Sequence, residues 1–352
     1  MGKPTVHDIA KEAGVSLATV DRVLNERPGV RDRTVQRVRA AVERLGYVRD
    51  LHAANLARQR QYRFAFLLPE GDSQFLEMLR AAIAEAAGGL TTDRALLTVR
   101  DVALDDPLAL ARALAALERA EVDGVAVMGT ETPMIRDAID RLKARGTAVV
   151  TLVTDQPQSH RDHFIGIDNV AAGRTAGKLM DRFCAPRQAG RVAVLVASTY
   201  ARDMAERRLG FDRALAAGRT GLRALPSLEG RNDPRRAEAL IAGTLAAHPD
   251  IVGVYCAGAG LRGVARAVRA AGRAGDLTVI SHELTPHARA ALEEGVLDVV
   301  ISQNVGHLVR SAVRVLRAEC DGAPLIASQE TIRIEIVLKE NLPGPAGEEE
   351  GP

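Results

Sequence analysis

The chain has 352 residues, of which 47% are apolar and 26% are charged, and its formal net charge is +2. This length suffices for two or three domains. No long apolar run suggests a membrane span, and the polar start MGKPTVHD argues against a signal peptide. Because Cys184, Cys256 and Cys320 are odd in number and far apart, we expect buried free thiols in a reducing cytoplasm, with no disulfide framework and no metal site.

Near the start, residues 5–25 predict two short helices joined by a tight turn. Thr5 can cap the first helix with Asp8 as its capping-box partner. Gly14 can end that helix in the left-handed conformation, and Ser16 can cap the second helix. The facing sides carry Ile9, Ala10, Ala13, Val15, Val20 and Val23. The outward positions are Ser16, Leu17, Ala18, Thr19, Asp21, Arg22 and Asn25. This is a helix-turn-helix pattern, whose second helix can lie in the DNA major groove.

A third helix is predicted at residues 31–45, followed by Gly46 as its stop. Its apolar face carries Val35, Val38, Val42 and Leu45. Residues 1–62 hold twelve Lys or Arg against seven Asp or Glu, a net charge of +5, so the rest of the chain carries −3. Two amphipathic helices with a glycine turn occur in many helical proteins. A small basic region on a slightly acidic body, however, favours nucleic-acid binding.

From residue 63 onwards, apolar strand patterns alternate with amphipathic helical patterns. The predicted strands are Arg63–Leu68, Gly124–Met128, Ala148–Val153, Phe164–Ile167, Arg191–Val196, Ile251–Tyr255, Leu277–Ser281, Asp298–Ser302 and Thr331–Val337. The predicted helices include Leu108–Ala120, Ala171–Phe183, Ala205–Ala217, Arg235–Ala247 and Val305–Ala318. This alternation predicts parallel sheets covered on both faces, and the number of strands suits two doubly wound lobes. The Pro/Gly/Glu-rich tail PGPAGEEEGP predicts disorder.

The chain resembles the lactose-repressor (LacI/GalR) family. The resemblance is carried by Thr5-Val-His-Asp-Ile-Ala10, Ala13-Gly-Val-Ser16, Thr19-Val20, Arg22-Val-Leu-Asn25, Gly46-Tyr47 and the LHAANLAR run ending at Arg58. It implies an all-α helix-turn-helix domain at residues 1–48, a hinge helix and linker at 49–62, and a disordered tail at 341–352. Between them, residues 63–340 would form a two-lobed α/β effector-binding and dimerisation domain, similar to a periplasmic sugar-binding protein. Three segments would cross between the lobes, near Asp155–His160, His282–Thr285 and Asp321–Ala323.

The resemblance also implies which residues touch DNA. Short polar side chains suit phosphate, and Leu17, Ala18 and Arg22 match base-reading positions, where Arg22 suits a guanine edge. Leu56 matches a leucine that wedges into the minor groove and bends the duplex; the alternative is a plain linker leucine. The full predicted DNA-binding set is Thr5, His7, Ser16, Leu17, Ala18, Thr19, Asp21, Arg22, Asn25, Thr34 and Leu56.

Three positions depart from the family pattern, which usually has serine at Asp21, proline at Arg49 and asparagine at Asp50. A carboxylate at position 21 would be repelled by phosphate, could accept from a cytosine amino group, or could point to solvent. A role for Asp21 in specificity is therefore a hypothesis.

In the predicted lobes, ligands bind at the carboxyl ends of the strands. Glu283 and Gln303 match sugar-contacting positions, and Phe75 could supply a face for stacking. The usual arginine falls at Ala205, the usual asparagine at Gly258, and the usual Asp-Arg pair at Val153 and Thr154. Nearby polar residues can compensate, so we expect an altered sugar or polyol pocket. The predicted effector-binding set is Asp72, Phe75, Asp155, Arg202, Asp203, Gly258, Glu283 and Gln303. Asp168 and Asn169 also match family positions, but we interpret them as helix caps.

A competing interpretation is an enzyme. Gly258, Gly260 and Gly263 form a G-x-G-x-x-G motif between a predicted strand and a helix, and Glu283 follows twenty residues after Gly263. This context is typical of dinucleotide binding, so a nicotinamide-dependent oxidoreductase is the alternative. A glycine-rich turn at the mouth of a ligand cleft explains the motif equally simply.

We therefore expect a cytoplasmic, sequence-specific transcriptional regulator, usually a repressor in this family, with no catalytic residues and no cofactor. It would act as a homodimer on a pseudo-palindromic double-stranded DNA operator, because two-fold protein symmetry imposes two-fold DNA symmetry. A small sugar or polyol would control its operator affinity.

Overall fold

The computed structural model describes residues 4–24, 27–47, 61–71, 73–89, 95–103, 106–187 and 189–344. The chain divides into two compact units, Met1–Arg60 and Gln61–Pro352. Several sequence predictions lie outside the described residues: Asn25, Arg49, Asp50, Leu56, Asp72, the hinge helix and the tail from residue 345.

The first unit contains three helices, α1 (Val6–Ala13), α2 (Leu17–Leu24) and α3 (Asp32–Leu45). The capping box is confirmed, because the Thr5 hydroxyl accepts from the Asp8 amide and the Asp8 carboxylate accepts from the Thr5 amide at 2.8 Å. Gly14 is left-handed, with φ 60°, and the Thr19 amide donates to the Ser16 hydroxyl at 3.2 Å. The predicted facing residues form one small apolar core around Ile9, Val20, Val38 and Ala41.

In the second unit, lobe 1 is a five-stranded parallel sheet in the order β2-β1-β3-β4-β5. Its elements are β1 (Tyr62–Pro69), α4 (Gln74–Gly89), β2 (Ala95–Val102), α5 (Pro107–Leu117), β3 (Gly124–Val127), α6 (Pro133–Ala144), β4 (Ala148–Leu152) and β5 (His163–Ile165). The inner strands β3 and β4 are fully buried, as expected for parallel strands covered on both faces.

Lobe 2 is a six-stranded sheet in the order β11-β10-β9-β8-β6-β7, parallel except for β11. Its elements are α7 (Asn169–Phe183), β6 (Ala189–Val196), α8 (Arg202–Ala216), β7 (Gly221–Glu229), α9 (Pro234–Ala247), β8 (Ile251–Cys256), α10 (Leu261–Ala270), β9 (Thr278–His282), α11 (Pro286–Glu293), β10 (Val299–Ser302) and β11 (Glu335–Val337). Between β10 and β11 the chain forms α12 (Val305–Asp321) and α13 (Ala327–Glu330). Two short 3-10 turns follow α7 and β11. The two-lobed fold is confirmed.

Two strands were absent from the sequence predictions. Strand β2 is a mostly exposed edge strand, so it lacks the apolar run of a buried parallel strand. Strand β7 contains Pro226, and its register against β6 shifts between Ala224 and Ser227. Proline in a sheet is confined to edges and bulges, and this strand has both features.

Two of the three predicted crossings between the lobes were wrong. Residues 155–160 lie within lobe 1, because β5 pairs with β4, and the chain leaves that lobe only at Gly166–Asp168. Residues 282–285 lie within lobe 2, because the next strand after β9 is β10, which pairs with β9 in the same sheet. The second crossing is at Gln303–Asn304, after which α12 packs on lobe 1. The third begins where predicted, after Asp321, and reaches lobe 2 again at β11.

The second unit is held by three buried apolar clusters. One lies within each lobe, and the third contains side chains from both sheets together with the buried face of α12, from Leu308 to Leu316. In the described part of the chain, none of the helices is both long and apolar enough to cross a lipid bilayer.

Candidate functional site

In the first unit, Arg37 of α3 fixes the turn between α1 and α2. Its Nη2 donates to the carbonyl oxygens of Ala13 and, at 3.1 Å, of Gly14. These carbonyls stand at the end of α1, where no helical amide reaches them. Arg37 thereby sets the position of α2 relative to the rest of the unit. This role cannot be read from local sequence patterns, because it depends on a contact between residues more than twenty positions apart.

The exposed face of α2 carries the residues that were predicted to read bases. Leu17 is 43% exposed, although it is a large apolar residue, and Ala18 and Arg22 are also exposed. The buried residues Val20 and Val23 lie on the other face and pack into the core. The helix therefore presents these three side chains to an external partner without weakening its own packing.

Beside this face lies a polar groove of about 320 Å³. Ser16, Thr19 and Thr34, all predicted to contact phosphate, line it together with Arg22 and Arg31. The Ser16 Oγ is 2.9 Å from the Thr19 Oγ1. Hydroxyl and guanidinium donors gathered in one groove suit a phosphate backbone. Arg31 was not predicted as a site residue, although it belongs to the basic excess of this region.

The other residues that were predicted to contact DNA are either bound to a neighbouring side chain or exposed. The Thr5 hydroxyl donates to the Asp8 carboxylate at 2.8 Å, and this bond lowers the pKa of Asp8. His7 is exposed. Asp21 forms an ion pair with Arg27 at 3.3 Å, with both side chains more than half exposed. The pair reduces the bare negative charge that Asp21 would otherwise present to phosphate.

In the second unit, the predicted effector site at the carboxyl ends of the strands, here called the cleft, contains Arg207, which is only 2% exposed. It stands on α8, which packs unusually closely on α7 because glycines face the partner backbone. A Cβ at Gly173 would lie 1.9 Å from the Arg207 carbonyl oxygen, and one at Gly210 would lie 2.1 Å from the Val170 carbonyl oxygen. These glycines let α7 and α8 approach and place Arg207 beside Asn169.

The Arg207 guanidinium connects three segments of lobe 2. Its Nε donates to Asn169 Oδ1 at 2.8 Å, and its Nη1 donates to the Ala257 carbonyl at 2.9 Å. Its Nη2 is 3.5 Å from Glu283 Oε1, which also accepts from Gln303 Nε2 at 2.9 Å. The sequence prediction placed the usual arginine position of the pocket at Ala205, and Arg207 supplies a guanidinium two residues later on the same helix.

Among the residues of the second unit that the structure describes, three buried side-chain oxygen atoms lack a hydrogen-bond partner: Oε2 of Glu283, Oε1 of Gln303 and Oε1 of Gln156. The Nδ1 of His282 is a buried nitrogen without a partner. The two amides have a defined orientation, because Gln303 must donate to the carboxylate and Gln156 Nε2 donates to the Gly129 carbonyl at 3.0 Å. Buried polar atoms are normally satisfied. All three are acceptors, so they match a ligand that offers hydrogen-bond donors. Gln156 was not among the predicted site residues.

Backbone strain marks both sheets at their carboxyl ends. Glu283, directly after β9, has φ 67°, and Val153, directly after β4, has φ 66°. A left-handed conformation is unfavourable for these residues, above all for the β-branched Val153, and such strain clusters at binding sites. Asn169 of lobe 2 is linked to lobe 1, because its Nδ2 donates to the Val153 carbonyl at 3.5 Å.

Burial shifts the titration of several groups around Arg207. It raises the pKa of Glu283 and of Asp203, while the positive charge of Arg207 opposes both shifts. It lowers the pKa of His282 well below its usual value, and Arg207 acts in the same direction. The His282 Nε2 is 2.8 Å from the Tyr255 hydroxyl. His282 is therefore a neutral imidazole near pH 7.

The other predicted effector residues have different surroundings. Asp155 forms an ion pair with Arg161, with Nη2 to Oδ2 at 2.6 Å, so its negative charge is compensated within lobe 1. Burial would raise the pKa of Asp155, but hydrogen bonds from Arg161 and Thr151 bring it below the usual value. Phe75 lies in the same buried apolar cluster as Val153. Arg202 donates to Glu131 of lobe 1 at 2.8 Å, which makes it a bridge between the lobes.

The glycine motif of the competing enzyme interpretation serves packing. A Cβ at Gly263 would lie 2.2 Å from the Pro234 carbonyl oxygen, and one at Gly258 would lie 2.2 Å from the Met204 Cε. Gly260 is left-handed, with φ 117°, and precedes α10. Close contacts with α8 and α9 thus account for Gly258 and Gly263, and the left-handed conformation accounts for Gly260. Met204 fills the space that a side chain at position 258 would take.

The comparisons with known proteins match both units of the chain. The model for bacterial regulatory proteins of the lacI family matches residues 5–50, and the periplasmic binding protein domain matches residues 64–324. The chain belongs to the periplasmic binding protein domain family over most of its length, and it carries a domain of the lacI family of bacterial regulatory proteins at its start. It is 29% identical over 177 residues to the transcriptional regulator DegA of Bacillus subtilis, which covers 50% of this chain and 51% of that protein. It is 36% identical over 83 residues to catabolite control protein A of Priestia megaterium, covering 24% and 25%. The chain thus spans about half the length of DegA and less of the other relative.

Solved structures resemble the second unit of the protein. A glucose-galactose binding protein, GanP of Geobacillus stearothermophilus, superposes with a TM-score of 0.71 at 22% identity, covering 81% of this chain and 99% of that one. A solute-binding protein of Burkholderia graminis, in complex with D-arabinose, gives 0.72 at 22% identity, covering 80% and 96%. At this identity the likeness establishes the fold.

Proposed function

We propose that this protein is a transcriptional regulator that binds a pseudo-palindromic DNA operator as a homodimer in the cytoplasm, and that a sugar or polyol in the cleft controls its operator affinity. The observation that carries the effector half is the set of buried, unpaired acceptor oxygens on Glu283 and Gln303. The observation that carries the DNA half is the exposed α2 face with its polar groove.

On the DNA side, α2 would lie in the major groove with Arg22 donating to a guanine edge. Leu17 and Ala18 would contact thymine methyl groups. The groove hydroxyls and Arg31 would hold the phosphates that fix the register. Leu56 would wedge into the minor groove at the centre of the operator.

In the cleft, ligand hydroxyl groups would donate to Glu283 Oε2, Gln303 Oε1 and Gln156 Oε1. A bound ligand would thereby satisfy oxygen atoms whose burial without partners costs about 1–3 kcal/mol each. Arg207, already held by Asn169 and Ala257, would keep the Glu283 carboxylate in place. Arg202 and Asp155, with their charges paired elsewhere, would shape the rim of the cleft.

The effector would act by changing the angle between the lobes. Gln303 stands at the second crossing, and Asn169 of lobe 2 contacts the Val153 carbonyl of lobe 1. A ligand bound to Gln303 and Gln156 would therefore contact both lobes. It can shift operator affinity only through different affinities for the two lobe arrangements, with a coupling typically of ~1–3 kcal/mol.

In vitro selection of DNA sites from a random library, with the full-length protein, tests the DNA half. We expect a palindrome with a pyrimidine–purine step at its centre, because such steps kink most easily. Failure to enrich any site from folded protein, at low salt and with sugar pools added, would contradict the proposal. Genomic matches to the palindrome would then limit the effector to the metabolites of the controlled operon.

A thermal-shift screen of sugars and polyols tests the effector half. The ligand that stabilises the wild type should fail to stabilise Gln303→Ala and Glu283→Gln, and should also release the selected operator. Glu319→Gln, an exposed residue of α12, is the matched control and should respond like the wild type. An undiminished ligand response in Gln303→Ala would place the effector elsewhere.

A further inference from the structure

A second groove in the effector-binding unit is distinct from the cleft. It has a volume of about 620 Å³ and lies between the outer face of α12 and the segment from α13 to β11. It is lined by Asn304, His307, Arg310, Arg314, Ser328, Gln329, Thr331, Arg333 and Glu335. Small-molecule sites commonly have volumes of about 300–1,000 Å³, so the groove is large enough for a metabolite.

The charges of the groove are unevenly compensated. Arg314 is neutralised by the buried Glu330, with Nε to Oε1 at 3.0 Å and Nη2 to Oε2 at 2.9 Å. Among the residues that the structure describes, Arg310 and Arg333 have no hydrogen-bond or ion-pair partner, and both are exposed. The one carboxylate that lines the groove is Glu335. Two unpaired guanidinium groups therefore stand against a single carboxylate.

Neutral donors stand beside these arginines. Ser328 and Thr331 bring hydroxyl groups into the groove, and Asn304 lies at the start of α12. His307 is fixed by a 2.7 Å hydrogen bond from its Nε2 to the Gln329 carbonyl. Because a carbonyl oxygen can only accept, this nitrogen carries the proton. This bond and the Arg314 pairs join α12 firmly to the opposite wall, so the groove is a preformed feature of the fold.

We propose that this groove is a second ligand site, which binds a small phosphorylated molecule through Arg310 and Arg333. Guanidinium groups bind phosphate oxygens in bidentate geometry, and the hydroxyl of Ser328 supplies a further donor. Neither a sugar nor a polyol without phosphate would use the two positive charges. The size of the groove favours a metabolite over a single inorganic ion.

The location connects this site with the lobes. Arg310 belongs to α12, which packs on lobe 1, whereas Arg333 precedes β11 of lobe 2. Asn304 directly follows Gln303, whose amide binds Glu283 in the cleft. A phosphate held between Arg310 and Arg333 would therefore tie together two of the segments that cross between the lobes, and would influence the lobe angle.

Isothermal titration of the full-length protein with inorganic pyrophosphate, at constant ionic strength, tests the proposal. The double variant Arg310→Gln/Arg333→Gln should bind pyrophosphate at least about tenfold more weakly, because each lost charged hydrogen bond accounts for about that factor. The matched control is Arg182→Gln/Arg262→Gln, which removes two exposed arginines from other surfaces and should bind like the wild type. Glu335→Gln should bind more tightly, because it removes the opposing carboxylate.

Two results would overturn the assignment. One is the absence of saturable binding up to millimolar pyrophosphate. The other is equal binding by the Arg310→Gln/Arg333→Gln variant and the wild type, which would assign the anion to another basic surface such as α2. Unchanged or weaker binding by Glu335→Gln would contradict the charge argument. Each variant is checked for wild-type unfolding temperature, and because these arginines lack partners we expect no loss of stability.

Discussion

The first unit and the cleft of the second unit place their proposed functional residues in opposite environments. On α2, the side chains assigned to DNA are exposed, and the packing is left to Val20 and Val23 on the other face. In the cleft, Arg207, Glu283 and Gln303 are buried and bind one another. In the first unit, a substitution can thus change DNA binding without changing stability. In the cleft, the same side chains would serve both ligand binding and stability. The predictions below test this difference.

The largest effect is expected for Arg207→Ala. Removing this guanidinium leaves Glu283 and Asn169 buried without their partner, so the free energy of unfolding of the second unit should fall by about 3–5 kcal/mol. Denaturant unfolding monitored by circular dichroism measures it. Arg213→Ala, an exposed arginine on the same helix, is the control and should change stability by less than about 0.5 kcal/mol. A similar small effect for Arg207→Ala would mean that the cleft network does not hold the fold.

This contrast also explains what the sequence could and could not predict. The Thr5–Asp8 capping box, the Gly14 turn and the α2 face are local, so spacing alone predicted them correctly. Arg207 was missed because its role depends on glycines of two helices that approach each other, and on partners that lie 38 to 76 residues away along the chain. The buried strands were predicted from their apolar runs. The exposed β2 and the proline-containing β7 lack such a run, and the crossings depend on which sheet each strand joins.

Arg22→Ala should separate function from stability in the first unit. Because Arg22 is exposed and outside the core, the unfolding temperature should stay unchanged. Binding to the selected operator should weaken by roughly 1–3 kcal/mol, with relaxed preference at one base position. Binding assays on a set of single-base operator variants measure this. If every operator variant weakens equally, Arg22 contacts phosphate and does not read a base.

His282 should make the stability of the second unit depend on pH in the mildly acidic range. Burial lowers its folded-state pKa well below 6.5, so on acidification the unfolded chain takes up a proton before the folded chain does. Stability is therefore lost as the pH falls below 6.5, by about 1 kcal/mol between pH 6.5 and about 5.5. Glu283 and Asp203, whose pKa values are raised, act in the opposite direction, but they are present in both proteins when the wild type is compared with His282→Gln.

The difference between the two pH profiles isolates His282. The variant His282→Gln should show a shallower loss of stability on acidification than the wild type, as measured by urea unfolding at each pH. His160→Gln is the control, because this side chain is 82% exposed and its removal should leave the profile as it is. Parallel profiles for His282→Gln and the wild type would show that the buried imidazole does not set the pH response.

The smallest effect is expected at Glu131, at the partly exposed rim of the cleft. Its carboxylate is 2.8 Å from Arg202 across the lobes, with side-chain exposures of 20% and 36%. Glu131→Gln should cost only about 0.5 kcal/mol of stability, yet it removes an ion pair that joins the lobes. Small-angle scattering of the ligand-free protein should show a larger radius of gyration. Glu118→Gln removes a pair of equal length within lobe 1, to Arg141 at 2.8 Å, and should leave the radius unchanged. An unchanged radius in Glu131→Gln as well would show that the ion pair at the rim does not set the angle between the lobes.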